Sequence, residues 1–237
     1  MDISIIVPVY NEEKNIPILH EQIRSAINCL KRNFEIIYIN DGSTDNSFKI
    51  LQAIKVNDTK VRIVSFDRNY GKTSALDAGL RHAKGDYILT IDCDLQESPD
   101  DLVKIFNELQ NSDVVIGRRI NRLEVDGLIK FISSKIANYV RNKVLKEDFA
   151  DAGCFLRGYR RECIEKLRFY TELLVFVGSL LRMQGFRIKE TTVKTYPRKY
   201  GKSNYGISNR LFKRLIALLV VKWMQNNRLK YKISYSD

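Results

Sequence analysis

Through the first half of the chain, short apolar runs rich in β-branched residues alternate with amphipathic stretches. Runs at 3–9, 36–39, 61–66, 87–91 and 114–116 read as buried strands. The stretches at 12–32, 44–57, 72–83 and 99–110 carry apolar residues at helical spacing. Ser43-Thr44-Asp45 offers a helix cap after the Asp41-Gly42 turn, and Ser98-Pro99 offers a cap with proline at the first helical position. This alternation predicts an α/β fold, a mostly parallel central sheet sandwiched by helices with right-handed crossovers. Past Gly117 the spacing changes. It predicts a helix over 128–145, a strand near 153–159, helices near 160–167 and 172–184, and a strand over 186–194. A loop at 196–206, rich in glycine and basic residues, precedes a final helix over about 208–225.

At 237 residues and 44% hydrophobic content, the chain suits one domain, or one domain with a C-terminal extension. Cys29, Cys93, Cys154 and Cys163 form no CxxC pair, and the only histidines are His20 and His82. Neither a zinc site nor a disulfide framework is expected, and the cytoplasm is the expected compartment. The start, Met1-Asp2 followed by a short apolar run, does not read as a signal peptide. The longest late apolar runs, 173–181 and 215–221, fall well short of the ~20 residues that span a bilayer.

Charge divides the chain in two. Residues 1–117 hold 13 Lys and Arg against 18 Asp and Glu, whereas residues 118–237 hold 27 against 10. An acidic half joined to a basic half suggests one part that holds a cation and another that faces phosphates or an anionic surface.

In an open α/β sheet, ligands bind beyond the carboxyl ends of the strands. Here strand one runs into Pro8-Val9-Tyr10-Asn11-Glu12, strand two into Asn40-Asp41-Gly42-Ser43, and strand four into Asp92-Cys93-Asp94-Leu95-Gln96. If those strands are parallel, Glu12, Asp41, Asp92 and Asp94 gather at one edge, where they repel one another unless a cation or hydrogen-bond donors sit between them. Oxygen ligands without His or Cys suit Mg²⁺ or Mn²⁺, completed by substrate phosphates. The pattern therefore predicts a metal–nucleotide site.

Residues 5–13, 40–45, 69–72 and 92–96 resemble the successive motifs of the family 2 glycosyltransferases, which have the GT-A fold. Asp92-Cys93-Asp94-Leu95-Gln96 and Arg198-Lys199-Tyr200-Gly201-Lys202-Ser203 resemble its polyprenyl-phosphate branch, typified by dolichyl-phosphate mannose synthase. The likeness runs from Ile3 to about Trp223. It departs at Asn40, where many members carry aspartate, and at Asn204, where lysine is frequent. The resemblance implies that Pro8, Tyr10 and Glu12 cradle base and ribose, and that Asp41 accepts a bond from a base N–H. It further implies that Asp92 touches ribose or metal and that Asp94 and Gln96 hold the metal. Lys72 joins them as a candidate near the nucleotide. Arg119, Lys130 and Ser134 would take an acceptor phosphate. Lys130 stands where the family usually has arginine, so a bidentate contact becomes a point charge. Arg198 would close over the donor diphosphate, and Asp151 matches an acidic position to which an orienting role is assigned.

On this reading, residues 1–206 form the catalytic domain, with a nucleotide-binding part at about 1–117 and an acceptor part at about 118–206. Residues 207–237 form a basic amphipathic extension. A phosphate monoester has a second pKa near ~6 and is already an anionic nucleophile at neutral pH. It needs cations to hold it rather than a general base, in keeping with the basic second half. The expected reaction is an inverting transfer of a hexose from a nucleotide sugar, UDP favoured over GDP, to polyprenyl phosphate, in support of cell-envelope biogenesis. From residue 194 onward there are 11 Lys and Arg and one acid, and the final helix carries Trp223 among its apolar residues. That helix is an expected anchor at the inner face of the cytoplasmic membrane, alone or with a membrane partner or a second copy. Two alternative readings remain at this point. A saccharide hydroxyl acceptor would require Asp151 or a neighbour as base. A non-catalytic nucleotide- or nucleic-acid-binding module would use the basic half, but the chain lacks interleaved aromatics and that reading leaves the converging carboxylates unexplained, so nucleic acid is not an expected partner.

Overall fold

The computed structural model describes residues 1–200 and 208–228. Five strands and four helices alternate in the first half: β1 (Ile3–Val9), α1 (Ile16–Asn28), β2 (Phe34–Asn40), α2 (Ser47–Asn57), β3 (Val61–Ser65), α3 (Lys72–His82), β4 (Tyr87–Thr90), α4 (Asp100–Glu108) and β5 (Val114–Arg119). Two helices follow, α5 (Arg122–Asp126) and α6 (Leu128–Leu145), then β6 (Arg157–Arg160) and α7 (Arg161–Glu165). A 3-10 turn at Leu173–Phe176 leads into α8 (Val177–Met183), and β7 (Ile188–Val193) and α9 (Ser208–Asn226) complete the described chain.

Every strand expected from the apolar runs is present. Helix α1 begins at Ile16 rather than near 12, because Pro17 suits a first turn and residues 11–13 are tied instead to the next loop. The N-cap of α2 is Asn46, without a side-chain cap bond, rather than a residue of Ser43-Thr44-Asp45. Asp45 Oδ1 accepts the Ser47 N–H at 2.9 Å just ahead of the helix, while Ser43 and Thr44 bond across to Asn11. Ser98 does accept the Asp100 N–H at the start of α4.

The seven strands form one sheet in the order β3-β2-β1-β4-β6-β5-β7. All pairings are parallel except those of β6, which runs antiparallel to β4 on one side and to β5 on the other. Alternate residues of β1 serve the two faces. Ile3, Ile5, Val7 and Val9 face a core shared with α1 and α4, while Ile6 faces a second core with α3, α8 and α9. Residues buried on both faces explain why the strands read as continuous apolar runs. Helix α9 gives Ala217, Leu218 and Val221 to that second core and packs on α6 and α8.

At the end of the sheet opposite the β1, β2 and β4 carboxyl termini, one buried carboxylate knits three strands and the loop that leads into β4. Glu35 Oε1 accepts Ser4 Oγ at 2.6 Å and the Lys84 N–H at 2.7 Å, and Oε2 accepts Arg62 Nη1 at 2.8 Å. Ser4 Oγ in turn accepts the Gly85 N–H. Burial pushes the Glu35 pKa up, but the bonds from Arg62, Ser4 and Lys84 more than reverse this and leave it below 4.5. A depressed carboxylate contributes stability above its unfolded pKa and loses it as pH falls through the folded one. Glu35→Gln is therefore expected to cost about 1–3 kcal/mol at neutral pH, with the deficit shrinking in acid. Denaturant titrations of both proteins across that range check the sign.

Candidate active site

Because β1, β2 and β4 are parallel neighbours, their carboxyl ends open on the same edge. The loops after β1 and β2 are stitched together there. Ser43 Oγ accepts the Asn11 N–H at 3.1 Å, Ser47 Oγ accepts the Glu12 N–H at 2.9 Å, and Asp45 accepts the Glu13 N–H at 3.2 Å. Asn11 sits in the left-handed region at φ 56°, which asparagine tolerates better than most residues, and its Oδ1 takes the Thr44 N–H at 2.8 Å. Pro8 lies near the end of β1, with Tyr10 just past it, and both are half-buried beside Glu12.

Asp41, expected at a base N–H, already braces the protein. Its Oδ1 accepts the Tyr70 N–H at 2.7 Å, and its Oδ2 accepts the Gly71 N–H at 2.9 Å and Asn69 Nδ2 at 3.0 Å. These bonds occupy three of the about four acceptor positions of a carboxylate and set the 69–71 turn that starts α3. Burial raises the Asp41 pKa, against those two backbone donors. Gly42 makes the contact feasible: at φ 64° it lies so close to Arg68 that a Cβ would sit 2.2 Å from the Arg68 carbonyl carbon.

Two cations answer the crowded carboxylates. Lys72 Nζ lies 2.5 Å from Asp92 Oδ1 and 3.7 Å from the centre of the Phe155 ring. Arg198 Nη2 lies 2.6 Å from Asp94 Oδ2, and its Nη1 is 3.5 Å from Glu12 Oε1. Burial, then the charge of Asp92, raises the pKa of Asp94 while Arg198 opposes. Burial likewise raises Glu12, opposed by its bond from Asn15 and by Arg198. Between Asp94 and Gln96 the chain turns through Leu95 at φ 59°, a conformation costing a non-glycine residue about 1–2 kcal/mol. The Gln96 backbone N–H donates to Asp94 Oδ1 at 3.1 Å, and its amide donates to the Tyr196 carbonyl at 3.3 Å. The 92–97 loop and the segment carrying Arg198 are thus joined, through the Thr195 hydroxyl and the Tyr196 N–H on the Gln96 carbonyl. Residues 201–207, the rest of the expected basic loop, lie outside the described residues.

Among the described residues, no three Asp, Glu, His or Cys side chains close into a complete metal site. The 92–96 loop carries hard oxygen donors in Asp92, Asp94 and the Gln96 amide. Such a set suits Mg²⁺ or Mn²⁺, which keep several positions for water and phosphate oxygens. Cys93 between them is buried, and burial raises the pKa of its thiol.

Glu97 is the residue that the sequence reading passed over. It is buried, and its Oε2 accepts the Asp92 N–H at 3.2 Å. Its Oε1 accepts the Leu156 N–H at 3.1 Å and lies 3.6 Å from the Cys154 thiol. Burial, then the Asp92 charge, pushes its pKa up to about 7 against the pull of Lys72. A third acid directly after Asp-x-Asp-Leu-Gln was the available signal, masked by the Ser98-Pro99 helix cap that follows.

The basic half builds a second cluster at the end of β5. Asp151 receives Arg119 through Nε at 2.7 Å and Nη2 at 2.9 Å, with the Arg119 backbone N–H at 3.3 Å. Arg122, on the unforeseen short helix α5, approaches Asp151 at 3.5 Å and donates to Ser134 Oγ at 2.6 Å. Arg119, Ser134 and Asp151 are therefore brought together, with Arg122 as the link. The Lys130 side chain lies outside the described residues. Burial acts to raise the pKa of Asp151, but the bonds and charge of Arg119, with Arg122, hold it below the ordinary carboxylate value. The loop beneath is fixed by its neighbours. Arg141 and Asn142 donate to the Phe149 carbonyl, Asn138 donates to that of Ala150, and Glu190 accepts the N–H groups of Ala150 and Asp151 at 2.9–3.0 Å. Arg157, buried in β6, donates to the carbonyls of Ala152 and Cys154.

Carboxylates met by two cations after β1 and β4, and an arginine–aspartate cluster after β5, lie at the same end of one sheet. The chain belongs to glycosyl transferase family 2, whose sequence profile matches residues 4–168. It is 33% identical over 207 residues to the undecaprenyl-phosphate 4-deoxy-4-formamido-L-arabinose transferase of Yersinia enterocolitica, covering 86% of this chain and 63% of that protein. The namesake from Photorhabdus laumondii is 35% identical over 219 residues, covering 92% and 65%. The chain thus spans less than two thirds of the length of these relatives. Among solved structures it resembles glucosyl-3-phosphoglycerate synthase from Mycobacterium tuberculosis, determined with Mn²⁺, UDP-glucose and phosphoglyceric acid. The TM-score is 0.68 at 19% identity, over 94% of this chain and 80% of that one. A mannosyltransferase from Pyrobaculum calidifontis with GDP-mannose and Mn²⁺ gives a TM-score of 0.59 at 20% identity, over 97% and 65%. The fold is that of the GT-A enzymes.

Glu97→Ala would leave the buried N–H groups of Asp92 and Leu156 without their acceptor, at about 1–3 kcal/mol each. A lowered melting temperature is expected together with weaker nucleoside diphosphate binding, measured by thermal denaturation and calorimetry. Unchanged UDP and GDP affinity in the folded variant would show that Glu97 does not set the Asp92–Asp94 loop.

Proposed function

We propose that this chain carries out an inverting transfer of a sugar from a nucleotide donor, UDP preferred over GDP, to the phosphate of a polyprenyl phosphate of the undecaprenyl type. The observation that carries the reading is the Arg119–Asp151–Arg122–Ser134 cluster, an anion-binding group built on the same sheet as the donor-side carboxylates. The names of the curated relatives support the acceptor class.

The chemistry follows from the charges. Pro8, Tyr10, Glu12 and Asp41 stand where base and ribose would bind, and Lys72 holds Asp92 in place. Asp92, Asp94 and Gln96 would hold Mg²⁺ or Mn²⁺, which when bound neutralises the leaving diphosphate. Arg198 adds a guanidinium, whose charge-assisted bonds to phosphate are strong and can be bidentate. On the acceptor side the phosphate is anionic at neutral pH, so Arg119, Arg122, Lys130 and Ser134 need only hold it in line with the anomeric carbon. Asp151 is already ionised and occupied by two guanidinium groups, the state of an orienting residue and a poor one for a general base. That argues against a saccharide hydroxyl acceptor.

The site would meet its lipid at a membrane surface. Among the described residues, no helix is long and apolar enough to cross a membrane. Helix α6 instead exposes Ile129, Ile132, Ile136 and Val140 along one stripe, with Ile129 85% accessible. Beside it, α9 exposes Phe212, Leu215, Leu219 and Trp223. Apolar faces flanked by Lys135, Lys143, Lys213 and Lys222 suit the interface of an anionic bilayer at the inner face of the cytoplasmic membrane.

The reading is tested by incubating UDP- and GDP-sugars, UDP-linked 4-formamido-arabinose among them, with undecaprenyl phosphate and Mg²⁺ in detergent. Release of nucleoside diphosphate with formation of a lipid-linked sugar is expected. Turnover with saccharides alone would overturn the acceptor assignment. Asp94→Ala is expected to abolish metal-dependent turnover, and full activity at ordinary Mg²⁺ would refute its ligand role. Arg119→Ala is expected to raise the KM for lipid phosphate at least tenfold, and that for the sugar nucleotide far less. The opposite ranking would move Arg119 to the donor side.

A further inference from the structure

Asp151 occupies the Nε and Nη2 edge of Arg119, so an anion must reach this guanidinium from another direction. Gly153, two residues beyond Asp151, marks that direction. It is exposed and its φ lies outside the left-handed region, so its backbone would accept any side chain. A Cβ built there points at the ion pair: Arg119 Nη2 lies 3.5 Å away and Asp151 Oδ1 lies 3.6 Å away. Among the described residues, chain neighbours aside, nothing else lies within 4 Å, so apart from that pair they leave the space over Gly153 open.

The surrounding loop holds this opening in shape. Glu190 ties the N–H groups of Ala150 and Asp151, and Arg157 ties the carbonyls of Ala152 and Cys154. The Cys154 N–H closes the turn onto the Asp151 carbonyl. Backbone bonded on both sides of residue 153 has little freedom to swing a new side chain away from the ion pair.

We infer that Gly153 is a specificity-determining residue of the acceptor site, the open face through which the acceptor phosphate comes onto Arg119. This rests on the proposed acceptor reading and adds to it the side of approach. Substituents at 153 would then act on acceptor binding in order of size and charge. A methyl group reaches only van der Waals contact. A neutral amide fills the opening, and a carboxylate both fills it and competes for Arg119 as a tethered anion.

The test compares Gly153→Ala, Gly153→Asn and Gly153→Asp, with undecaprenyl phosphate as acceptor and calorimetry of UDP binding as the donor-side control. The KM for undecaprenyl phosphate is expected to rise a few-fold in G153A and G153N and at least tenfold in G153D, with UDP affinity within twofold of wild type in all three. The near-isosteric Asn and Asp pair isolates charge from shape, a contrast that a merely structural role would not produce. Equal KM values for G153N and G153D, or an unchanged KM in G153D, would overturn the inference. If G153D fails to fold, a change in KM in G153A and G153N must carry it, and values equal to wild type would overturn it. Arg119→Ala is measured alongside. If that variant leaves the lipid KM unchanged, the acceptor reading itself fails; if only the Gly153 series is silent, the site stands and the approach is from elsewhere.

Discussion

Like charges cannot be crowded at one sheet edge without something between them, and this constraint organises the molecule. Glu12, Asp92 and Asp94 are drawn together because the parallel neighbours β1 and β4 end side by side. Lys72 and Arg198 are the fixed countercharges, each supplied from a different part of the chain. Asp41 escapes the problem by turning its oxygens onto the 69–71 backbone. Glu97 escapes it through two backbone donors and a pKa displaced to about 7. The same logic runs in reverse at the end of β5, where a single carboxylate gathers two guanidinium groups. The same end of the sheet thus carries a carboxylate cluster after β1 and β4 and an arginine–aspartate cluster after β5.

The fold was largely legible in the sequence because apolar runs buried on both faces are hard to place anywhere but in a covered parallel sheet. Strand ends were legible too, since Asp41-Gly42 and Asp92-Cys93-Asp94 interrupt those runs abruptly. Contacts that depend on distant segments were not legible. Nothing near Asp92 in sequence announces Lys72 as its partner, twenty residues earlier. Arg122 lay outside every recognised motif, because α5 has only five residues and no periodicity to read. Glu190 sits on β7 as one polar residue of an alternating strand, and its hold on Ala150 and Asp151 appears only once β7 lies beside β5. The antiparallel direction of β6 was equally hidden, since a four-residue strand carries no sign of its orientation.

Helix α9 resolves a choice that its composition left open. An amphipathic helix can serve a core or a surface, and this one serves both. Ala217, Leu218 and Val221 are buried against the body, while Phe212, Leu219 and Trp223 point outward. A helix apolar on two sides needs something apolar on each. In α6 the balance is further tilted, because nearly all of its length beyond the Arg141 and Leu145 end is solvent-facing. Among the described residues, these two helices expose runs of large apolar side chains.

The position of β6 also bears on how the chain is made. On a ribosome β4 emerges with one side able to pair with β1, but its other side waits for residues 157–160, about seventy residues later. At a synthesis rate of about 5–20 residues per second, that edge stands open for roughly 4–14 s. Unpaired strand edges are templates for wrong partners. The four-residue length of β4 limits what such an edge can recruit. The strand that joins β4 to β5 therefore also closes that open edge.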